Sequence, residues 1–471
     1  MSAYSNRTTK LPIVPPVVSY YTLPGEVKLD YPAICCFSAL GFFLNEDTYY
    51  TNRKAFRPAT EYRFDASGKV VSKGRYFHWN YLPREITFDQ ALNEFSDLLE
   101  GIVERDTANK KIVLPISGGL DSRTLAAAVA HRSDVFCYSY QFEDGISESL
   151  FGSAVATALS FPHQGFTLSR GYLWSVIDQL AQLNGCYAEF LNPRQMAVYG
   201  QLAHKGDIYL LGHGGDLFFD GMGVLDNLTE REQLEYLIKK LIKPAGWQLG
   251  ESLWKAWGIV GDFKEYLTAR ILELLRGIEI NNANARLRAF KTEYYVARWT
   301  AVNLELFQQQ LPVSVPFFQD EICRWICTTP EAHLSGRKLE IEYIKRKSSS
   351  LAKIPWQKVY PCNLYNYSEF NSLGIRIARA WLKGKRQFRS HVLGKRADAN
   401  NWELQFVGEA NVNNLRRYLV DQWNSEFIPK EISVEYFSKF QRQGKDYVHA
   451  VTMLLTLSCF DRFFGSNRSF L

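Results

Sequence analysis

The string Ser117-Gly118-Gly119-Leu120-Asp121-Ser122 constrains this chain more than any other feature. It follows an apolar run, Ile112-Val113-Leu114-Pro115-Ile116, and precedes an alanine-rich stretch from Thr124 to His131. That order reads as a buried strand, a glycine loop and the start of a helix. The glycines let backbone N–H groups turn toward an anion, and a helix N-terminus adds a favourable dipole. Ser117 and Ser122 offer hydroxyl donors. Asp121 would repel a phosphate unless a hard divalent cation lay between them, and Mg²⁺ takes such oxygen ligands. The pattern is not G-x-x-x-x-G-K-[ST], so it is not the loop that transfers a terminal phosphate.

A second loop has the same build. The apolar strand Ile208 to Leu211 runs into Gly212-His213-Gly214-Gly215-Asp216, again glycine-rich with one acidic residue. The first loop resembles the signature of the ATP-pyrophosphatase group, which cleaves ATP between its α- and β-phosphates. With the second, over about residues 40 to 360, the chain resembles the synthetase domain of asparagine synthetases and their relatives, β-lactam synthetases and lasso-peptide cyclases. The resemblance implies ATP and Mg²⁺ as cofactors and adenylation of a carboxylate, followed by attack of ammonia or an amine. It implies that Ser117, Gly118, Gly119 and Ser122 bind pyrophosphate and that Asp121 and Asp216 ligate Mg²⁺. Adenine is expected against Ile116 and the strand around Tyr138 and Tyr140, with Gly212 in the facing loop. In the family a lysine follows a Pro-Phe-x-Asp segment. Here Pro316-Phe317-Phe318-Gln319-Asp320 and then Gly336-Arg337-Lys338 make Lys338 the expected catalytic cation.

Three departures bear on the substrate. His213 stands where the family has glutamate and β-lactam synthetases have tyrosine; it could act as a base toward the amine or only hydrogen-bond the loop. Leu217 replaces a glutamate, and Pro312-Val313-Ser314 replaces a Glu-x-Arg. These losses argue against free aspartate and favour a larger small-molecule, sugar or peptide carboxylate. Glu143-Asp144 reads as a solvated loop and Trp356 as core. A tRNA-modifying ATP-pyrophosphatase or a degenerate, non-catalytic relative are the competing readings.

The 471 residues, 46% hydrophobic and 22% charged, suit a globular protein with a substantial core. We expect an α/β fold: a doubly wound parallel sheet (adenine-nucleotide α-hydrolase-like), a large helical C-terminal part and a small β-rich N-terminal remnant. The divisions are residues 1–85, 86–230 and 231–471. Thr87-Phe88-Asp89-Gln90 reads as a capping box, and Glu61 to Val71 as a hairpin around Ala66-Ser67-Gly68. The second residue is Ser2 where the family's glutaminase domain has a catalytic cysteine, so a separate glutaminase subunit is a possible ammonia source. The apolar stretch Ala33 to Leu44 is too short to span a bilayer, and no signal peptide precedes it, which points to the cytoplasm. The eight cysteines show no C-x-x-C or zinc spacing and read as reduced, buried thiols. A net charge of +6 and the basic run Arg376 to Arg396 do not demand a nucleic-acid partner.

Overall fold

The computed structural model describes residues 20–143, 148–191, 193–202, 204–375, 400–423, 425 and 427–465. The first 19 residues, Asp144 and the basic run Arg376 to Arg396 lie outside them. An antiparallel pair, β1 (Tyr20–Thr22) with β2 (Arg53–Ala55), and a hairpin, β3 (Thr60–Phe64) with β4 (Val70–Arg75), form the N-terminal β structure. The hairpin turns where Asp65 accepts from the backbone N–H groups of Ser67 and Lys69, as the sequence predicts.

Five parallel strands form the central sheet: β5 (Ile112–Pro115), β6 (Val135–Phe142), β7 (His163–Leu168), β8 (Ile208–Leu210) and β9 (Val313–Ser314), in the order β7-β6-β5-β8-β9. Successive strands step to one side of β5 and then to the other. The order therefore reverses between β5 and β8, where an open α/β sheet leaves a crevice at the strand C-termini. The fold class is the one the sequence predicts. The edge strand β9 is new: Val313-Ser314, read only as a lost charged pair, continues the sheet.

Helices fix this sheet at its ends. Helix α2 (Phe88–Thr107) starts at the expected box, with Thr87 Oγ1 accepting from Gln90 N and Gln90 Oε1 from Thr87 N. Its Ala91, Phe95, Leu99 and Ile102 are buried. Helix α3 (Asp121–Ala128) follows the first loop, and α4 (Glu148–Ala158) joins β6 to β7. Gly152 lets α4 lie close to the strand ends, since a Cβ there would sit 2.9 Å from Ser139 Cβ and 3.0 Å from the Ile116 carbonyl oxygen.

The stretch Ala33 to Leu44 finds its explanation in α1 (Tyr31–Leu40). Asp30 caps it by accepting from Ala33 N, Pro32 sits in its first turn, and Gly41 ends it at φ 83°. All of Ala33 to Leu40 is buried, against the helix Gly246–Ala256 and the apolar helix Val448–Phe460. Tyr49 stacks on Phe460 at 3.6 Å between ring centroids, and its hydroxyl donates to Cys186 O. The N-terminal, central and C-terminal stretches therefore share one hydrophobic core. The described cysteines are free thiols, and no described helix is long and apolar enough to cross a membrane.

A Cβ on Gly246 would lie 2.4 Å from the carbonyl oxygen of Ala39. Gly246→Ala should therefore cost about 1–3 kcal/mol of stability through a forced shift of α1. Urea unfolding of the two proteins measures it, and an unchanged midpoint would show that α1 is not held this closely.

Candidate active site

At the C-terminal ends of β5, β6 and β8 opens a cavity of about 640 Å³. Both glycine loops reach it. Ser117, Asp121 and Ser122 line it from the first, and Gly212, His213, Gly214 and Asp216 from the second. The first loop is tied by its serines: Ser122 Oγ accepts from Ser117 N at 3.1 Å, and Ser117 Oγ from Gly119 N at 3.2 Å. Gly118 and Gly119 form the turn behind this lining. A Cβ on Gly118 would strike Gln357 Oε1 at 2.6 Å, and its carbonyl accepts from Gln357 N.

The loops meet because the second one lacks side chains. A Cβ on Gly215 would lie 2.6 Å from Asp121 Oδ1, and one on Gly212 would lie 3.0 Å from the Asp121 carbonyl carbon. Gly214 stands at φ 100°, with the Phe318 ring where a Cβ would go. Asp121 and Asp216 are thus delivered to one cavity by adjacent backbone segments.

Arg337 supplies the cation next to them. Its Nη2 donates to Asp121 Oδ1 and its Nε to Glu340 Oε2. It stands at φ 61° directly after Gly336 at 76°, a left-handed pair that a non-glycine residue adopts only when its surroundings hold it. Glu340 is fully buried, and burial pushes its carboxyl up while Arg337 pulls it back. Lys338, the cation expected from sequence, is exposed, and its ammonium donates to Ala332 O instead of reaching the cavity. The αL turn at Gly336-Arg337 brings Arg337 inward and leaves its neighbour outside.

Ile116, Tyr138 and Tyr140 all border the cavity, with Ser139 between the tyrosines. The Tyr138 and Tyr140 hydroxyls both donate to Gln195, which also lines the cavity. Arg194, next to Gln195, also lines the cavity, and no motif marks it in the sequence. His213 touches the edge of Phe307 at 6.0 Å between centroids, and its buried Nδ1 has no hydrogen-bond partner among the described residues. Burial, with Arg194 nearby, lowers its pKa to about 4. The ring is neutral at pH 7.

The departures from the family find places too. Leu217 gives the cavity an apolar patch. Ser314 donates to Asp106 Oδ2 at 2.7 Å and faces α2, away from the cavity. Trp356 is buried, as expected. The far wall escaped sequence reasoning altogether: Lys291, Tyr295, Trp299, Asn303 and Phe307 recur every four residues along a π-helical stretch, Lys291–Thr300, and the α-helix that continues it. That spacing was the available signal.

Residues 94–339, just over half of the chain, match the family model described as asparagine synthase. The chain belongs to the asparagine synthase family. No curated protein matches it. Enzymes of this family use ATP, and membership makes the chain an ATP-dependent, amide-forming ligase in the general sense.

Arg337→Met should leave Glu340 buried without its partner and cost about 3 kcal/mol. The variant keeps a proton on folded Glu340 that the unfolded chain releases, so its stability should fall more steeply than wild type as pH rises above the ordinary glutamate range. Adding Glu340→Gln should restore most of the loss. Urea titrations across pH test this, and equal pH slopes for wild type and Arg337→Met would contradict it.

Proposed function

We propose that this member of the asparagine synthase family adenylates a substrate carboxylate and passes the acyl group to ammonia or an amine. The carrying observation is the convergence of Asp121 and Asp216, from two glycine loops, on one cavity at the reversal of strand order. No group of three or more His, Cys, Asp or Glu suited to a metal occurs among the described residues. Two carboxylates with phosphate oxygens and water are the donor set Mg²⁺ favours, so Asp121 and Asp216 fit that ion. When bound, it would neutralise phosphate charge at the leaving group.

In this reading the first loop holds the phosphates through Ser117, Ser122 and the α3 N-terminus. The substrate carboxylate attacks the α-phosphorus, the α–β bridging bond breaks, and pyrophosphate leaves. Arg337, bonded to Asp121 behind the cavity lining, supplies fixed positive charge next to that carboxylate, the position expected from sequence for Lys338. The free amine attacks the acyl carbon, neutral His213 accepts the proton its nitrogen releases as the C–N bond forms, and AMP departs. Burial, with the Arg194 charge added to it, keeps His213 deprotonated. Leu217 and the aromatic far wall favour a carboxylate larger and less zwitterionic than aspartate, such as a sugar acid or a peptide side chain. The amine is ammonia, from solution or from a separate glutaminase subunit, or a group within the substrate.

ATP–pyrophosphate exchange over a panel of carboxylates tests the reading, with exchange expected for one class of acid. Asp121→Asn and Asp216→Asn should each lower exchange by about 100-fold or more; unchanged exchange in either would remove it from the machinery. Loss of MgATP binding and exchange in the wild type would leave a non-catalytic relative.

His213→Ala should retain exchange and lose amide formation. Because the imidazole is held near 4, the amide-forming step, compared at equal free-amine concentration, should keep its rate from roughly pH 8 down to about 5, where an ordinary histidine would be protonated. A fall centred on the ordinary histidine value would contradict the role given to burial.

A further inference from the structure

Cations around the far wall are nearly all engaged. Arg57 and Arg75, from the N-terminal β structure, both donate to the buried carboxylate of Glu293. Arg298 donates to the carbonyl oxygens of Asn45 and Asp47. These bonds pin one side of the π-helical stretch Lys291–Thr300 to the body of the protein. Tyr295 and Trp299, stacked at 10° with centroids 5.4 Å apart, line the cavity from the other side. Lys291 lies on that cavity side and is half-buried, with Asp216 as its principal attracting charge. Among the described residues it forms no ion pair within 4.0 Å.

Asp216 is likewise without an ion pair among the described residues, although it shares the cavity with Lys291. An ammonium and a carboxylate that face one space without touching suit a ligand that carries both signs. A metal-bound phosphate is such a ligand: the cation goes to the carboxylate and the phosphate oxygen to the ammonium. Arg337 is already committed to Asp121 and Glu340, and Arg194 lies by His213, so Lys291 is the lining cation that faces Asp216. Lysine, a compact point charge on a flexible stem, suits a phosphate oxygen in this setting.

We infer that Lys291 is a phosphate-contacting residue of this site, holding the leaving pyrophosphate from the side of the second loop. The inference rests on the reading of the cavity as the nucleotide site. An acceptor carboxylate is the competing source of the anion, and the choice of probes separates the two.

Isothermal titration of wild type, Lys291→Met and Lys291→Arg with MgATP, magnesium pyrophosphate and AMP decides it. The methionine variant should bind MgATP and magnesium pyrophosphate about tenfold or more weakly, keep AMP within about twofold, and recover most of the loss as arginine. Lys291→Gln replaces the methionine variant if that one fails to fold by circular dichroism. Unchanged MgATP and pyrophosphate affinity would overturn the inference in favour of an acceptor contact. Equal loss of all three ligands would overturn it in favour of a general packing role. Wild-type protein that binds none of the three would sink the nucleotide reading and this inference with it.

Discussion

Two backbones can approach as closely as these loops do only if side chains are missing at the contact. Gly212 and Gly215 press against Asp121, where a Cβ would come within 2.6 to 3.0 Å of its atoms. The contact places negative groups from separate loops together: Asp121 and Asp216 face the cavity, with Glu340 buried behind them. Such a cluster is tolerable only with positive charge at hand. Arg337 supplies it from a left-handed turn, bridging Asp121 and Glu340. The sheet topology, the glycine loops and the strained turn thus serve one electrostatic arrangement, which a polyphosphate and its metal would complete.

What could be read in the amino-acid sequence was mostly local. Ser117 to Ser122 and Gly212 to Asp216 announce themselves because the backbone geometry they require admits few residue types. The parallel sheet follows from apolar runs alternating with helical patterns. Lys338 could not be separated from Arg337 by counting, since adjacent residues on a helix point about 100° apart, and the left-handed conformation of Arg337 decides which one turns inward. The burial of α1 depends on distant partners, Gly246 and the helix Val448–Phe460, and no local pattern names them. The far wall was hidden for a related reason. Its four-residue recurrence is visible, but helix faces bearing a lysine and aromatics are common, and only the cavity distinguishes this one.

The replaced family residues are informative through their surroundings. Ser314 shows that losing an arginine need not leave a hole, because its hydroxyl closes onto Asp106 at the base of α2. Leu217 turns a charged position into an apolar one inside the cavity. His213 exchanges a charged or phenolic group for an imidazole whose burial keeps it neutral. Together these changes lower the charge in and around the second loop, while Asp121 and Asp216 remain. On the proposed function, the site would activate a carboxylate less zwitterionic than aspartate.

The central claim is that Asp121 and Asp216 share one divalent ion with ATP. Crystals grown with Mn²⁺ and a non-hydrolysable ATP analogue, measured at the manganese edge, test it most directly. The account predicts a single anomalous peak within roughly 2.0–2.3 Å of a carboxylate oxygen from each aspartate and beside the analogue's phosphates. A peak on one aspartate alone, or an analogue bound away from both loops, would contradict it.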